Sequence, residues 1–220
     1  MRRIFFLFLC LLSLSVSAQT EAHLRDSLKQ ATEQLSFHPD SVELRLQKAS
    51  WNMLLEQWAY AKEEYDYLLE RNPQLFPARF FRAYANQRLG RYSFARIDYE
   101  WAVRLQPDHF EARLGLALLN QQIQHYTEAM DQLNQLVEQF PDRAEAYAAR
   151  AGVEKERGLL DVAVYDFTEA LRLSPNQKDY LINRLELLVR LHRMEEAKAD
   201  GRRLAQLGVP QPAIKKLLKQ

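Results

Sequence analysis

A proline returns every 34 residues along most of this chain, at Pro39, Pro73, Pro107, Pro141 and Pro175. A constant period of that length means that one supersecondary unit is copied in tandem, each copy burying its apolar face only against its neighbours. Between prolines the order is a helical stretch, a break and a second helical stretch. It is plainest in Phe76 to Arg88, the break Leu89-Gly90-Arg91, and Tyr92 to Leu105. Proline has no amide hydrogen and biases the residue before it away from helix, so it closes the second stretch. Asp40, Asp108, Asp142 and Asn176 follow four of the prolines, with Glu43, Glu111, Glu145 and Asp179 three residues further on. That spacing predicts capping boxes that open the next helix. Gln74 breaks the series, and there Pro77 in the first turn starts the helix instead.

Small residues hold the same phase. Ala61, Ala95, Ala129, Ala163 and Ala197 form one column, and Ala49, Ala83, Ala117 and Ala151 a second, which Leu185 interrupts. Small side chains let antiparallel helices approach to the near end of the usual range of about 8–10 Å. Larger ones fill the remaining space: Trp58, Tyr92, Tyr126, Leu160 and Met194; Tyr65, Tyr99, Leu133 and Phe167; Leu68, Ala102, Leu136, Ala170 and Leu204. Thr20 to Leu35 reads as an amphipathic helix, with Leu24, Leu28, Ala31 and Leu35 placed to cover the first copy. At the other end Leu217 and Leu218 are placed to shield the last.

On these residues the chain resembles the tetratricopeptide repeat family. The period, the alanine and aromatic columns and the closing proline agree over five copies, 42–75, 76–109, 110–143, 144–177 and 178–211. The resemblance implies an all-α, right-handed α-solenoid of helix-turn-helix units. A capping helix at 19–41 would precede the copies, and a cap at 212–220 would follow them. The fifth copy departs most: Gly201 stands in the aromatic column, His192 where Gly90 and Gly158 mark the turn, and the proline slips to Pro210.

A pairing inside the chain supports this register. Lys48 and Glu64, Arg82 and Asp98, Arg150 and Asp166, and Arg184 and Asp200 are each sixteen residues apart, and in the third copy Leu116 and Gln132 lose base and acid together. This is the signature of a cross-helix ion pair, worth about 0.2–1 kcal/mol if exposed. Arg45, Arg79 and Arg113 form another ladder, and Asn52, Asn86 and Asn120 a third. Two readings are open for them. One is a polar stripe that binds peptide backbone, as asparagine ladders do in some relatives of this family; the other is arginine stems covering neighbouring helices with their heads in water.

The first residues differ from the rest. Arg2 and Arg3 precede the apolar run Ile4 to Val16, and Val16-Ser17-Ala18 supplies small residues at a cleavage position. We read 1–18 as a secretory signal peptide, too short for the hydrocarbon core of about 30 Å, so no permanent membrane span is expected after cleavage. Leu9 before Cys10 is too large for a lipoprotein site. Removing the lone Cys10 leaves a chain without thiol chemistry, which suits export to an oxidising compartment, the periplasm of a Gram-negative envelope. Of 30 basic and 29 acidic residues, cleavage takes two bases, and no basic stripe for nucleic acid remains beyond Lys215, Lys216 and Lys219.

The five histidines, His23, His38, His109, His125 and His192, lack metal-ligand spacing. There is no phosphate loop or nucleophile motif, so we expect no enzyme activity, no cofactor and no metal. In the family resembled, the first helices line the binding face. Carried over, that face presents Leu46, Ser50 and Met53, then Phe80, Tyr84 and Gln87, then Leu114, Leu118 and Gln121, followed by the small or charged Ala148, Gly152 and Lys155, while Leu46, Phe80 and Leu114 read equally well as packing against adjacent first helices. The expectation is a protein-binding scaffold or adaptor of the envelope that takes a partner's peptide or helix. A periplasmic holdase-type chaperone and a glycan-binding or hydrolytic envelope protein are the alternatives, and self-association through the ends is a further expectation.

Overall fold

The computed structural model describes residues 18–219, and the expected signal peptide lies, but for its last residue, outside the described residues. Twelve helices and no strands occur among the described residues: α1 (Ala18–Phe37), α2 (Val42–Leu54), α3 (Trp58–Arg71), α4 (Phe76–Arg88), α5 (Tyr92–Leu105), α6 (Phe110–Gln122), α7 (Tyr126–Gln139), α8 (Ala144–Glu156), α9 (Leu160–Leu173), α10 (Lys178–Arg190), α11 (Met194–Gln206) and α12 (Gln211–Leu217). They belong to two compact units that meet in sequence at Ile123 and Gln124. In the first, α1 packs on α2, and each helix to α6 packs on the next, with α4 also touching α6. In the second, α7 to α11 pack in chain order and α12 closes on α10 and α11.

The columns explain this packing. Ala49, Ala83, Ala117, Ala151, Ala61, Ala95, Ala129, Ala163 and Ala197 are fully buried, and Leu185 is buried where the first series breaks. Tyr65, Tyr99, Leu133 and Phe167 are buried too, as are Leu68, Ala102, Leu136, Ala170 and Leu204. The column of Trp58, Tyr92, Tyr126, Leu160 and Met194 does not join the interior: Tyr92 is exposed and the others are half-buried. Gly115 marks one close approach. A Cβ there would sit 2.7 Å from the Tyr99 ring, so the missing side chain is what admits the tyrosine.

Helix ends correct one expectation. The cap of α2 is Ser41, whose hydroxyl accepts from the Leu44 amide, and the cap of α6 is His109, whose ring nitrogen accepts from the Ala112 amide. Asp40 and Asp108 lie one residue too early, inside the turn that the proline sets, while Arg143 and Gln177 cap α8 and α10 without side-chain bonds. Glu43, Glu111, Glu145 and Asp179 fall in first turns, where a carboxylate suits the positive end of the helix dipole. Pro77 does open α4. Between the helices of a copy the chain turns through a left-handed residue, Glu56, Gly90, Gln124, Gly158 or His192. The following amides of Gln57, Arg91, Leu159 and Arg193 return to the carbonyls of Asn52, Asn86, Glu154 and Leu188 at 2.8–2.9 Å, closing a Schellman turn.

Both ends are covered by dedicated helices. α1 turns Leu24, Ala31 and Leu35 inward. At the C-terminus the buried Ile214 of α12 occupies the space that Gly201 leaves, its Cγ2 lying 3.0 Å from where a Cβ would stand, with Leu218 and Leu185 beyond. The aromatic column therefore stops at 201 because α12 takes the place of the next ring.

Candidate functional site

The polar columns are structural. Lys48 meets Glu64 at 2.6 Å, Arg82 meets Asp98 at 2.7 Å, Arg150 meets Asp166 at 2.6 Å, and Arg184 meets Asp200 at 2.6 Å. The last three acids are only 0–2% exposed at the side chain, so the weak, solvent-screened pairing expected from sequence is replaced by buried ion pairs. Three of the bases also reach back sixteen residues into the preceding second helix: Arg82 Nη1 donates to Asp66, Arg150 Nη1 to Asn134, and Arg184 Nη1 to Thr168. One guanidinium thus joins three helices.

The arginine ladder has the same character. Arg45 donates to the Pro39 carbonyl and to Glu64, and Arg79 to the Pro73 carbonyl and to Asp98. Their side chains are 13% and 14% exposed, so the guanidinium heads do not stay in water as the second reading held. In the fourth copy Tyr147 stands in that column, and its hydroxyl donates to the Pro141 carbonyl. Asn52, Asn86 and Asn120 are buried, with Asn86 Nδ2 turned to Asp98, so none offers a surface to a peptide. The column continues into Glu154, which is also buried. Burial pushes its carboxyl up to about 7, the neighbouring Asp166 carboxylate adds to the rise, and Arg150 and Arg157 oppose it.

The nine candidate binding residues all lie on α2, α4 and α6 of the first unit. Four are buried. Phe80 packs against Phe76, Phe81, Tyr99 and His109, Leu114 is 3% exposed, Gln87 bridges Tyr99 and Gln122, and Gln121 is enclosed. Leu46 and Met53 are half-buried over the Ala49–Tyr65 core, and Ser50 is exposed with its hydroxyl returned to the Leu46 carbonyl. Tyr84 and Leu118 are half-buried. Tyr84 meets Trp58 edge-on at 5.8 Å, while Arg88 lies over the Trp58 ring at 4.5 Å and donates to the Tyr84 hydroxyl. Gln122 bridges Gln87 to the Tyr92 hydroxyl. Trp58, Arg88, Tyr92 and Gln122 therefore belong to this surface although sequence reasoning omitted them. The rim position of the Trp58 column was the missed signal. In the fourth copy Lys155 is held by Asn183 and Glu186 of α10.

No group of three His, Cys, Asp or Glu side chains is placed to hold a metal among the described residues. A hollow of about 330 Å³ between α3 and α4 is lined by Asp66, Arg79 and Arg82, groups already spent on the ion ladder. No described helix is long and apolar enough to cross a membrane.

Residues 88–152 match the tetratricopeptide repeat family model. Among solved structures, a tetratricopeptide repeat protein from Parabacteroides merdae is 24% identical with a TM-score of 0.72, covering 91% of this chain and 78% of its own. YrrB, described as a tetratricopeptide protein with an unusual peptide-binding site, is 16% identical at a TM-score of 0.63, covering 86% of this chain and 98% of its own. TTC0263 of Thermus thermophilus is 20% identical at a TM-score of 0.63, covering 76% and 91%. No curated protein matches the chain by sequence. Residues 88–152 thus carry the tetratricopeptide repeat, and the helices that recur every 34 residues give the described chain the fold of these tetratricopeptide repeat proteins.

Proposed function

We propose that the chain is a non-enzymatic scaffold or adaptor of the cell envelope, which binds a peptide or helix of a partner protein across α2, α4 and α6. The observation that carries this reading is the division of labour along the first helices. Every arginine, lysine and asparagine column whose contacts are described is consumed inside the stack. What stays accessible on that face is Leu46, Ser50, Met53, Tyr84 and Leu118, apolar or small and framed by Trp58 and Arg88. Phe80, Leu114, Gln87 and Gln121 form the floor that fixes their positions. A surface of this type suits an amphipathic or extended apolar segment. The peptide-binding description of YrrB agrees with this class of partner. The envelope location rests on Arg2, Arg3 and the apolar run to Val16.

Photocrosslinking tests the reading. A benzoyl-phenylalanine probe at Ser50, Tyr84 or Leu118 of the exported chain is expected to trap one protein species in an envelope fraction, and Tyr84→Ala to reduce the yield at the other two positions. Indiscriminate crosslinks to many unrelated proteins would point to a holdase. No crosslink at any of the three would overturn the proposal.

A further inference from the structure

An exposed apolar strip of the first unit lies away from the face just described, on the solvent side of α5. Phe94, Ile97 and Trp101 are 56%, 51% and 40% exposed and follow one another at helical spacing, while Ala95, Asp98, Tyr99 and Ala102 turn the opposite side of α5 into the core. Together the three expose roughly 300 Å², the scale at which an apolar patch marks an interaction site. Only α5 is apolar at all three positions: the corresponding residues are Tyr60, Glu63 and Tyr67 in α3, Glu128, Asp131 and Gln135 in α7, Val162, Tyr165 and Glu169 in α9, and Glu196, Ala199 and Arg203 in α11.

Charge decides what covers it. Arg91 and Arg104 flank the two ends of the strip, each exposed, with the Arg91 guanidinium 4.8 Å from the Phe94 ring and that of Arg104 5.4 Å from the Trp101 ring. Neither has a carboxylate partner among the described residues, whereas Arg96 of the same helix is paired with Glu100. Thirteen residues of helical rise put the two Cα atoms about 20 Å apart. An antiparallel copy of α5 would bring Arg91 against the other copy's Arg104, which opposes symmetric self-pairing. We infer that α5 is a second docking surface, for an acidic amphipathic helix of a protein partner: an apolar i, i+3, i+7 face on Phe94, Ile97 and Trp101, with carboxylates at both ends on Arg91 and Arg104. The two surfaces would let one chain hold two proteins.

The test uses two synthetic helical peptides with the same leucine face, one carrying glutamates at both ends and the other lysines, titrated into the purified chain by fluorescence anisotropy. The expected result is saturable binding of the acidic peptide at least tenfold tighter than the basic one. Ile97→Asp should weaken it tenfold or more while helix content by circular dichroism is unchanged, and Arg91→Glu with Arg104→Glu should reverse the preference. Equal binding of both peptides, or none below about 100 µM, overturns the inference. So does a mass that grows with concentration and returns to monomer in Ile97→Asp, which would assign the strip to a second copy, or vesicle binding lost in that variant, which would assign it to a lipid surface. Tyr84→Ala leaves this binding unchanged, which separates the inference from the proposal for the first-helix face.

Discussion

Two kinds of residue hold unusual states in this chain, and each kind makes a prediction. Glu154 sits in the column that Asn52, Asn86 and Asn120 occupy in the earlier copies, so the fold asks there for a buried neutral amide and receives an acid beside Asp166. Its folded pKa of about 7 exceeds the usual carboxylate value, so the folded state holds the proton more tightly than the unfolded chain. The stabilisation is complete below the unfolded value and is lost as pH rises toward 7. Glu154→Gln should therefore leave stability unchanged near pH 4 and raise it on the order of 2 kcal/mol at pH 8, read from urea midpoints across pH. The left-handed turn residues give the second prediction. Gly90 has open space around its missing Cβ, so Gly90→Ala should cost about 1 kcal/mol from backbone strain alone. Glu56 and His192 already bear that strain at φ 57° and 59°, and Glu56→Gly or His192→Gly should raise the unfolding midpoint instead.

At the scale of the element, the ion ladder ties helices that the alanine columns bring together. Arg184 grips Asp200 through two nitrogens and Thr168 through a third, with Asp200 buried. Asp200→Gln leaves a partly buried guanidinium without its counterion and should cost about 3 kcal/mol or more. Adding Arg184→Leu should recover most of the loss, because the third copy already runs on Leu116 and Gln132. Equilibrium denaturation of both single variants and the double variant measures this coupling. The pairs themselves were legible in the sequence, since base and acid vanish together at a fixed interval. Their depth was not, because spacing does not report burial. The backward contacts were also hidden: Asp66, Asn134 and Thr168 share a position but no residue type, and the Pro39 and Pro73 carbonyls are backbone acceptors that no side-chain pattern shows. For the same reason Phe80 and Leu114 read equally well as contact residues or as floor until their neighbours were placed, while the α5 strip went unread because its three positions carry no repeat-wide pattern.

For the molecule as a whole, a stack of copied units must end somewhere, and each end needs a surface that no further copy will cover. The N-terminal end spends α1 on this. The C-terminal end uses a substitution inside the repeat: Gly201 vacates the position held by Tyr65, Tyr99, Leu133 and Phe167, and Ile214 of α12 fills the gap against Leu185. Restoring the ring tests whether this exchange holds α12 in place. Phenylalanine suits the column in four preceding copies, so Gly201→Phe should keep the hairpins intact while it displaces Ile214 from its site. Hydrogen exchange is expected to lose protection in 211–217 and retain it in α10 and α11. With α12 released, Leu185 and the new ring lie at an uncovered end, and the mass in solution should rise with protein concentration. A variant that keeps α12 protected would show that the helix is held by Leu217 and Leu218, the two residues that the sequence pattern alone had favoured.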